Sequence, residues 1–170
     1  ASYTDTSAND TFSNTTGTLV GADRDSGQTL TYGISGGTVS GGTSTKAGSY
    51  GSLSVDTSSG AYTYTPNATA INALTANTSE TFTVTVSDGS ATTQATYTVN
   101  LTGANDTPTL TTPTAASYTD TSAIDTFSNN MGTLTGADRD SGQTLTYGIT
   151  GGTVSGGTST KAGSYGSLSV

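Results

Sequence analysis

The sequence contains no histidine and no cysteine, a single methionine, and four cationic side chains against twelve acidic ones. Each shortage closes a class of function. Without histidine there is no imidazole for acid–base work near neutral pH. Without cysteine there is no thiol nucleophile, and a zinc or haem site lacks its usual ligands. The missing thiols also rule out a disulfide-stapled scaffold, although they say nothing against secretion. A formal net charge of -8 makes the chain a poor binder of nucleic-acid phosphates. No apolar stretch approaches the roughly 18 residues of a membrane span. With no initiating methionine and no signal peptide, Ala1 is expected to lie inside a longer polypeptide.

Serine and threonine fill more than a third of the 170 positions, while 30% are hydrophobic. That balance approaches the disordered range. The apolar residues are placed regularly, however, and regular placement predicts β domains with thin cores. Residues 80–87 (ETFTVTVS) alternate so that Phe82, Val84 and Val86 share one face. Residues 95–102 (ATYTVNLT) do the same with Tyr97, Val99 and Leu101. The two runs are joined through Asp88-Gly89-Ser90 and predict a hairpin whose six alternating residues enter the core. Shorter runs at 17–21 (GTLVG), 29–34 (TLTYGI), 50–55 (YGSLSV) and 61–65 (AYTYT) read as further strands. The interleaved threonines suit a solvated strand face, where β-branching favours extended backbone.

Two segments lack the two-residue period. Residues 67–79 (NATAINALTANTS) predict a loop with a helical turn, in which Ile71 and Leu74 plug one end of the sandwich. Residues 36–49 (GGTVSGGTSTKAGS) predict an irregular hairpin or exposed flap. The twelve aromatic residues, mostly tyrosine, suit core volume with a wet hydroxyl edge better than a base-stacking platform.

The chain repeats itself. Residues 1–55 recur as 116–170 at a constant offset of 115 positions. Five pairs differ: Asn9/Ile124, Thr15/Asn130, Thr16/Met131, Val20/Thr135 and Ser35/Thr150. Solenoid units are about 20–50 residues long, so a period of this size means a string of whole domains. The turn-rich stretch 103–108 (GANDTP) marks the boundary. The expected division is a first repeat at 1–106, short of its opening strand, and the first half of a second at 107–170. That second half would lack equivalents of the Phe82 and Tyr97 strands. Its completion is expected either from further chain or from strands of a neighbouring molecule. Near-identical neighbours also carry a hazard of strand exchange.

Several motifs stand in a telling order. Ala22-Asp23-Arg24-Asp25-Ser26-Gly27 precedes Leu30-Thr31-Tyr32, and Thr83-Val84-Thr85-Val86-Ser87-Asp88-Gly89 follows. Tyr97-Thr98-Val99 and Asn105-Asp106-Thr107-Pro108 complete the period. In this order they resemble the cadherin-like repeats of bacterial surface proteins, nearest to the VCBS type found in giant secreted adhesins. The resemblance spans essentially the whole period. It implies an all-β fold of tandem immunoglobulin-like sandwiches that space an adhesive tip from the cell, many binding calcium where domains meet. It also implies that Asp23, Asp25 and Asp88 serve the junction before their domain, and that Asn105 and Asp106 serve the next with Asp138 and Asp140. The pattern departs from the family at Gly103, where an acidic residue is usual, and at Leu74-Thr75-Ala76-Asn77, where an acidic cluster is usual. Glu80 is the nearest carboxylate to the latter, and Asp5 and Asp120 stand where relatives carry an acidic strand residue.

The residues have a chemistry of their own. In an extended stretch Asp23 and Asp25 share a face and Arg24 points away. Like charges so placed are costly unless a cation or solvent relieves them. Calcium takes six to eight hard oxygens, which Asp, Asn and backbone carbonyls supply. The other reading of the same residues is turn-forming Asx side chains on a solvated acidic surface.

The function these observations predict is a structural spacer in a cell-surface adhesin or extracellular filament, without enzymatic activity. Its partners are neighbouring repeats of the same chain, with homotypic strand exchange or filament assembly as a further means of contact. A second reading is a carbohydrate- or cell-binding module that uses the flap or exposed tyrosines. A hydrolase or lyase built on paired carboxylates is disfavoured, since the candidate aspartates lie in solvated turns.

Overall fold

The computed structural model describes every residue except Ser26. It divides into two units, Ala1–Thr107 with Arg139–Ser141, and Pro108–Asp138 with Gly142–Val170.

The first unit is a two-sheet sandwich. One sheet contains β1 (Ser2–Thr4), β3 (Thr31–Ile34), β8 (Thr78–Ser87) and β9 (Thr92–Thr102), in the order β1-β9-β8-β3. The other contains β2 (Thr15–Thr18), β4 (Thr38–Ser40), β5 (Thr43–Ala47), β6 (Gly51–Asp56) and β7 (Ala61–Pro66), in the order β2-β7-β6-β5-β4. All pairings are antiparallel except that of β1, which runs parallel to β9 with Ser2 beside Asn100 and Thr4 beside Thr102. The β8–β9 hairpin matches Phe82 to Tyr97 and Val84 to Ala95, as the two alternating runs require.

The core forms where the inward positions of the two sheets meet. Leu53, Val55 and Tyr64 come from one sheet, and Tyr3, Ile34, Phe82, Val84, Val99 and Leu101 from the other. Four of the six residues expected on the hairpin's inner face are buried; Val86 and Tyr97 are half-buried. Val86 pairs with Thr93 beside the turn that closes the hairpin. Tyr97 packs against the core edge-on to Tyr62, with ring centroids 5.2 Å apart.

The loop at 67–79 behaves as its composition predicts. Asn67 caps a single helical turn, α1 (Ala68–Ile71), by accepting from the Ala70 amide at 3.2 Å. Ile71 is fully buried and Leu74 packs against the core. The segment at 36–49 is a hairpin, but a regular one. It forms the meander β4–β5 continuing into β6, turned by Gly41 and Gly42 at φ 55° and 79°. Two adjacent positive φ values match a two-residue hairpin turn, which glycine adopts without penalty. The strand expected at 17–21 is displaced to Thr15–Thr18.

The second unit contains β10 (Thr109–Leu110) paired with β11 (Gly136–Ala137), and a meander of β12 (Thr153–Ser155), β13 (Thr158–Gly163) and β14 (Gly166–Ser169). The meander reproduces β4–β5–β6. Residues 117–119, 130–133 and 146–149, the counterparts of β1, β2 and β3, are not strands. The difference follows from pairing: β1, β2 and β3 each find their ladder partner in β7, β8 or β9, whereas β4–β6 also pair among themselves.

Candidate functional site

The first unit collects its acidic residues at two places. One lies where β9 ends. The parity of the opening strand puts Tyr3 inward, and Asp5, two residues later, follows on the same side. The Asp5 amide donates to the Thr102 carbonyl at 2.9 Å, which ties it to the end of β9. Asp106 lies four residues beyond β9, and Arg139–Ser141 belong to the same unit. The Asp106 amide donates to Asp140 Oδ2 at 2.7 Å, and the Ser141 amide to the Ala73 carbonyl at 3.3 Å.

These carboxylates are withdrawn from water: Asp5 is 2% exposed, Asp106 0% and Asp140 5%. Asp5 Oδ2 accepts from the Ala104 amide at 3.3 Å, and Asp106 Oδ1 meets the Arg139 guanidinium at 3.4 Å. Asp5 Oδ1 and Asp106 Oδ2 are buried with no hydrogen-bond partner. Burial pushes the Asp5 carboxyl above the usual range; the Ala104 amide opposes this, and the charges of Asp106, Asp10 and Asp140 add to it. Asn105 turns its side-chain amide onto the Asp106 carbonyl at 2.6 Å, which leaves its own side-chain oxygen for another partner.

Such a donor set suits a hard cation. It offers carboxylate, amide and backbone oxygens, and two of the buried carboxylate oxygens lack the hydrogen bonds that buried oxygens require. Among the described residues, no three acidic side chains gather into a group that could hold an ion by themselves. Backbone or water oxygens would have to complete any coordination shell. Gly103 explains one departure from the family pattern. A Cβ there would lie 2.6 Å from the carbonyl oxygens of both Leu74 and Ala76, so this backbone leaves no room for an acidic side chain.

The second acidic place is the Asp23/Asp88 end. Asp23 and Asp25 do not lie in an extended strand. Asp23 Oδ1 accepts from the Asp25 amide at 2.8 Å, a turn that removes the shared-face geometry. Asp88 Oδ1 accepts from Ser90 and Ala91 at 2.7 Å each, and the Ala91 and Ser90 amides hold its carboxyl below the usual range. Asp23 and Asp88 are therefore occupied as turn caps and Asp25 supplies the amide that Asp23 holds, whereas Asp106 and Asp140 join Asp5 in the buried cluster and Asn105 stands exposed beside it. Asp138 is half-buried and falls in the second unit.

Asp5 is the buried member outside the set expected at the junctions, although the two-residue parity from Tyr3 carried the signal. Glu80 has a different task. It accepts from the Ser49 and Tyr50 amides and the Tyr64 hydroxyl, and so fastens the β5–β6 turn. Burial, then the Glu80 charge, pushes the Tyr64 hydroxyl well above the usual tyrosine range, and burial pushes Tyr97 up to about 12. One open groove is lined by Ala47, Gly51, Ser52, Thr65, Pro66 and Asn67 and contains no carboxylate pair.

No helix among the described residues is long and apolar enough to cross a membrane. Comparison with curated proteins yields no match. Residues 1–102 match the bacterial Ig domain family over the sandwich just described, and the chain belongs to that family.

Proposed function

We propose that this chain is a spacer segment of a secreted bacterial surface adhesin or extracellular filament, and that calcium stiffens it at the boundary after β9. The observation that carries the calcium reading is the pair of buried oxygens, Asp5 Oδ1 and Asp106 Oδ2, that no donor satisfies. Asp5, Asp106 and Asp140 would hold the ion, with Asn105 and backbone oxygens beside them. A bound cation would offset the repulsion among carboxylates that Arg139 meets from one side only. Tandem near-identity supports the spacer reading, because a spacer lengthens by copying whereas a catalytic site needs a unique constellation.

Thermal unfolding of the whole chain with calcium, and again with chelator, tests this reading. Calcium should raise Tm by several degrees, as expected for an ion that binds only the folded state. Asp106→Asn should abolish the increment, and Asp120→Asn, on the exposed counterpart of Asp5, should leave it intact. An identical Tm with calcium and with chelator would sink the calcium reading. Small-angle scattering under both conditions separates stabilisation from stiffening: an unchanged maximum dimension beside a raised Tm removes the rod and keeps the ion.

A further inference from the structure

We propose that the end of the sandwich where β9 finishes is a site of asparagine glycosylation, with Asn9, Asn14, Asn67, Asn77 and Asn100 as acceptors. Attachment to an asparagine amide requires an Asn-x-Ser/Thr triplet whose middle residue is not proline. Residues 1–107 contain seven asparagines, and six of them begin such a triplet. All six are exposed. The exception, Asn72, is followed by Ala73-Leu74, is 4% exposed and has its side chain held by three hydrogen bonds. Asn105 is set aside because its side-chain nitrogen, the atom that would carry the sugar, already donates to the Asp106 carbonyl at 2.6 Å.

In a chain this rich in serine and threonine, triplets alone carry little; their placement carries the inference. Residues 15–66 and 78–99 contain no asparagine. The acceptors fall in the β1–β2 connection, the β7–β8 connection and the closing residues of β9. Pairing brings these to one end. Thr4 lies beside Thr102, Thr15 opposite Tyr64 and Thr78 opposite Leu101, so β1, β7 and β9 finish where β2 and β8 begin. Asn72 ties the two connections together through the Asp10 amide and carbonyl, and Asn77 Oδ1 accepts from the Gly103 amide at 3.3 Å. The opposite end, with Asp23, Asp88 and the turn at 56–60, has no acceptor. Asn67 and Asn77 engage the protein through their side-chain oxygens, which spares the nitrogen. Asn100 faces outward between the buried Val99 and Leu101.

The two copies differ at this chemistry. Asn9 is replaced by Ile124, and Thr16 by Met131, which removes the hydroxyl two places after Asn129. Two of the five differences between copies thus each delete an acceptor. Transfer itself is redox-neutral. The asparagine Nδ2 attacks the anomeric carbon of a glycosyl-phosphate donor supplied by the producing cell. A carbon–nitrogen bond forms, the bond to the phosphate oxygen breaks with its electron pair, and one amide proton passes to base. The attached sugars would form a bulky hydrophilic collar around the end that holds the buried acidic cluster. The inference rests on the surface reading above, since such a collar serves a domain displayed outside the cell.

The test is site-localising mass spectrometry on the full chain recovered from the cells that make it, from the exterior and from the cytoplasm separately. The peptides of the five acceptors should gain the mass of whole sugar residues at asparagine, and those of Asn72 and Asn129 should not. Thr16→Met, which copies position 131, should remove the sugar from Asn14 and leave Asn67 modified. Unmodified acceptors overturn the proposal; found so on exterior protein, they leave the surface reading standing. Sugar confined to serine and threonine, or kept at Asn14 despite Thr16→Met, overturns it equally. Sugar on the acceptor asparagines of protein confined to the cytoplasm supports the glycosylation and removes the surface reading.

Discussion

Residues 1–55 and 116–170 differ at five positions, yet they occupy different physical environments. Leu53 is 0% exposed and its counterpart Leu168 60%; Tyr3 is 8% exposed and Tyr118 54%. Of the five differing positions, Thr15 meets the Tyr3 hydroxyl at 2.8 Å. The contrast arises because one copy is joined to 56–102 and the other is not. Burial is therefore a property of the pairing partner as much as of the residue. The same contrast extends to secondary structure: strands that pair within their own copy form in both, and strands that depend on β7, β8 or β9 form in one.

The largest expected effect is on the core of the first unit. Phe82→Ala empties a buried position there, and should cost about 3–5 kcal/mol in chemical denaturation. Leu168→Ala should stay within about 0.5 kcal/mol of the parent. Equal losses at the two sites would break the comparison. Next, amide exchange should separate identical strands. Backbone amides in β5–β6 should exchange on the order of 100-fold more slowly than those in β13–β14, because the first pair is covered by a second sheet.

A subtler contrast concerns Asp5 and its exposed counterpart Asp120. Since burial raises the folded-state pKa of Asp5, the folded state holds a proton that the unfolded state has already released. Without calcium, this group therefore lowers stability as pH rises from the usual carboxylate value through the raised one. Asp5→Asn should flatten that pH dependence in chelator, whereas Asp120→Asn should leave the titration curve of Tm unchanged. The smallest effect belongs to the differing positions that face solvent. Val20 is almost fully exposed, and Val20→Thr, which copies position 135, should change stability by less than about 0.5 kcal/mol.

Much of the first unit was legible in its sequence. The alternating runs predicted β8 and β9, their shared face and the hairpin between them, because a two-residue period has one geometric solution against a core. Ile71 and Leu74 announced a helical plug, and the structure added its cap at Asn67. The segment 36–49 was legible as a hairpin but not as a regular one, since its glycines resemble those of a loop and it has few apolar residues; backbone ladders, which any side chain permits, order it. Asp23 and Asp25 misled. Spacing alone cannot distinguish an extended pair from an Asx turn, and the hydrogen bond from the Asp25 amide decided it.

The sequence by itself determined what lies within reach of a few residues. The bond from the Ile34 amide to Ser44 Oγ recurs from Ile149 to Ser159 at the same 3.1 Å. The Thr6 amide meets Asp10, and the Thr121 amide Asp125, at 2.6 Å each. The edge-on pair Tyr3–Phe12 recurs as Tyr118–Phe127, with centroids 5.7 and 5.6 Å apart. Only the tertiary structure decided which copy is buried, which strands form, and that Asp5 should meet the end of β9 a hundred residues away. Local contacts need no partner from elsewhere in the chain, so equal sequences make them equally. A sandwich core needs strands distant in sequence, and residues 56–102 supply them to residues 1–55.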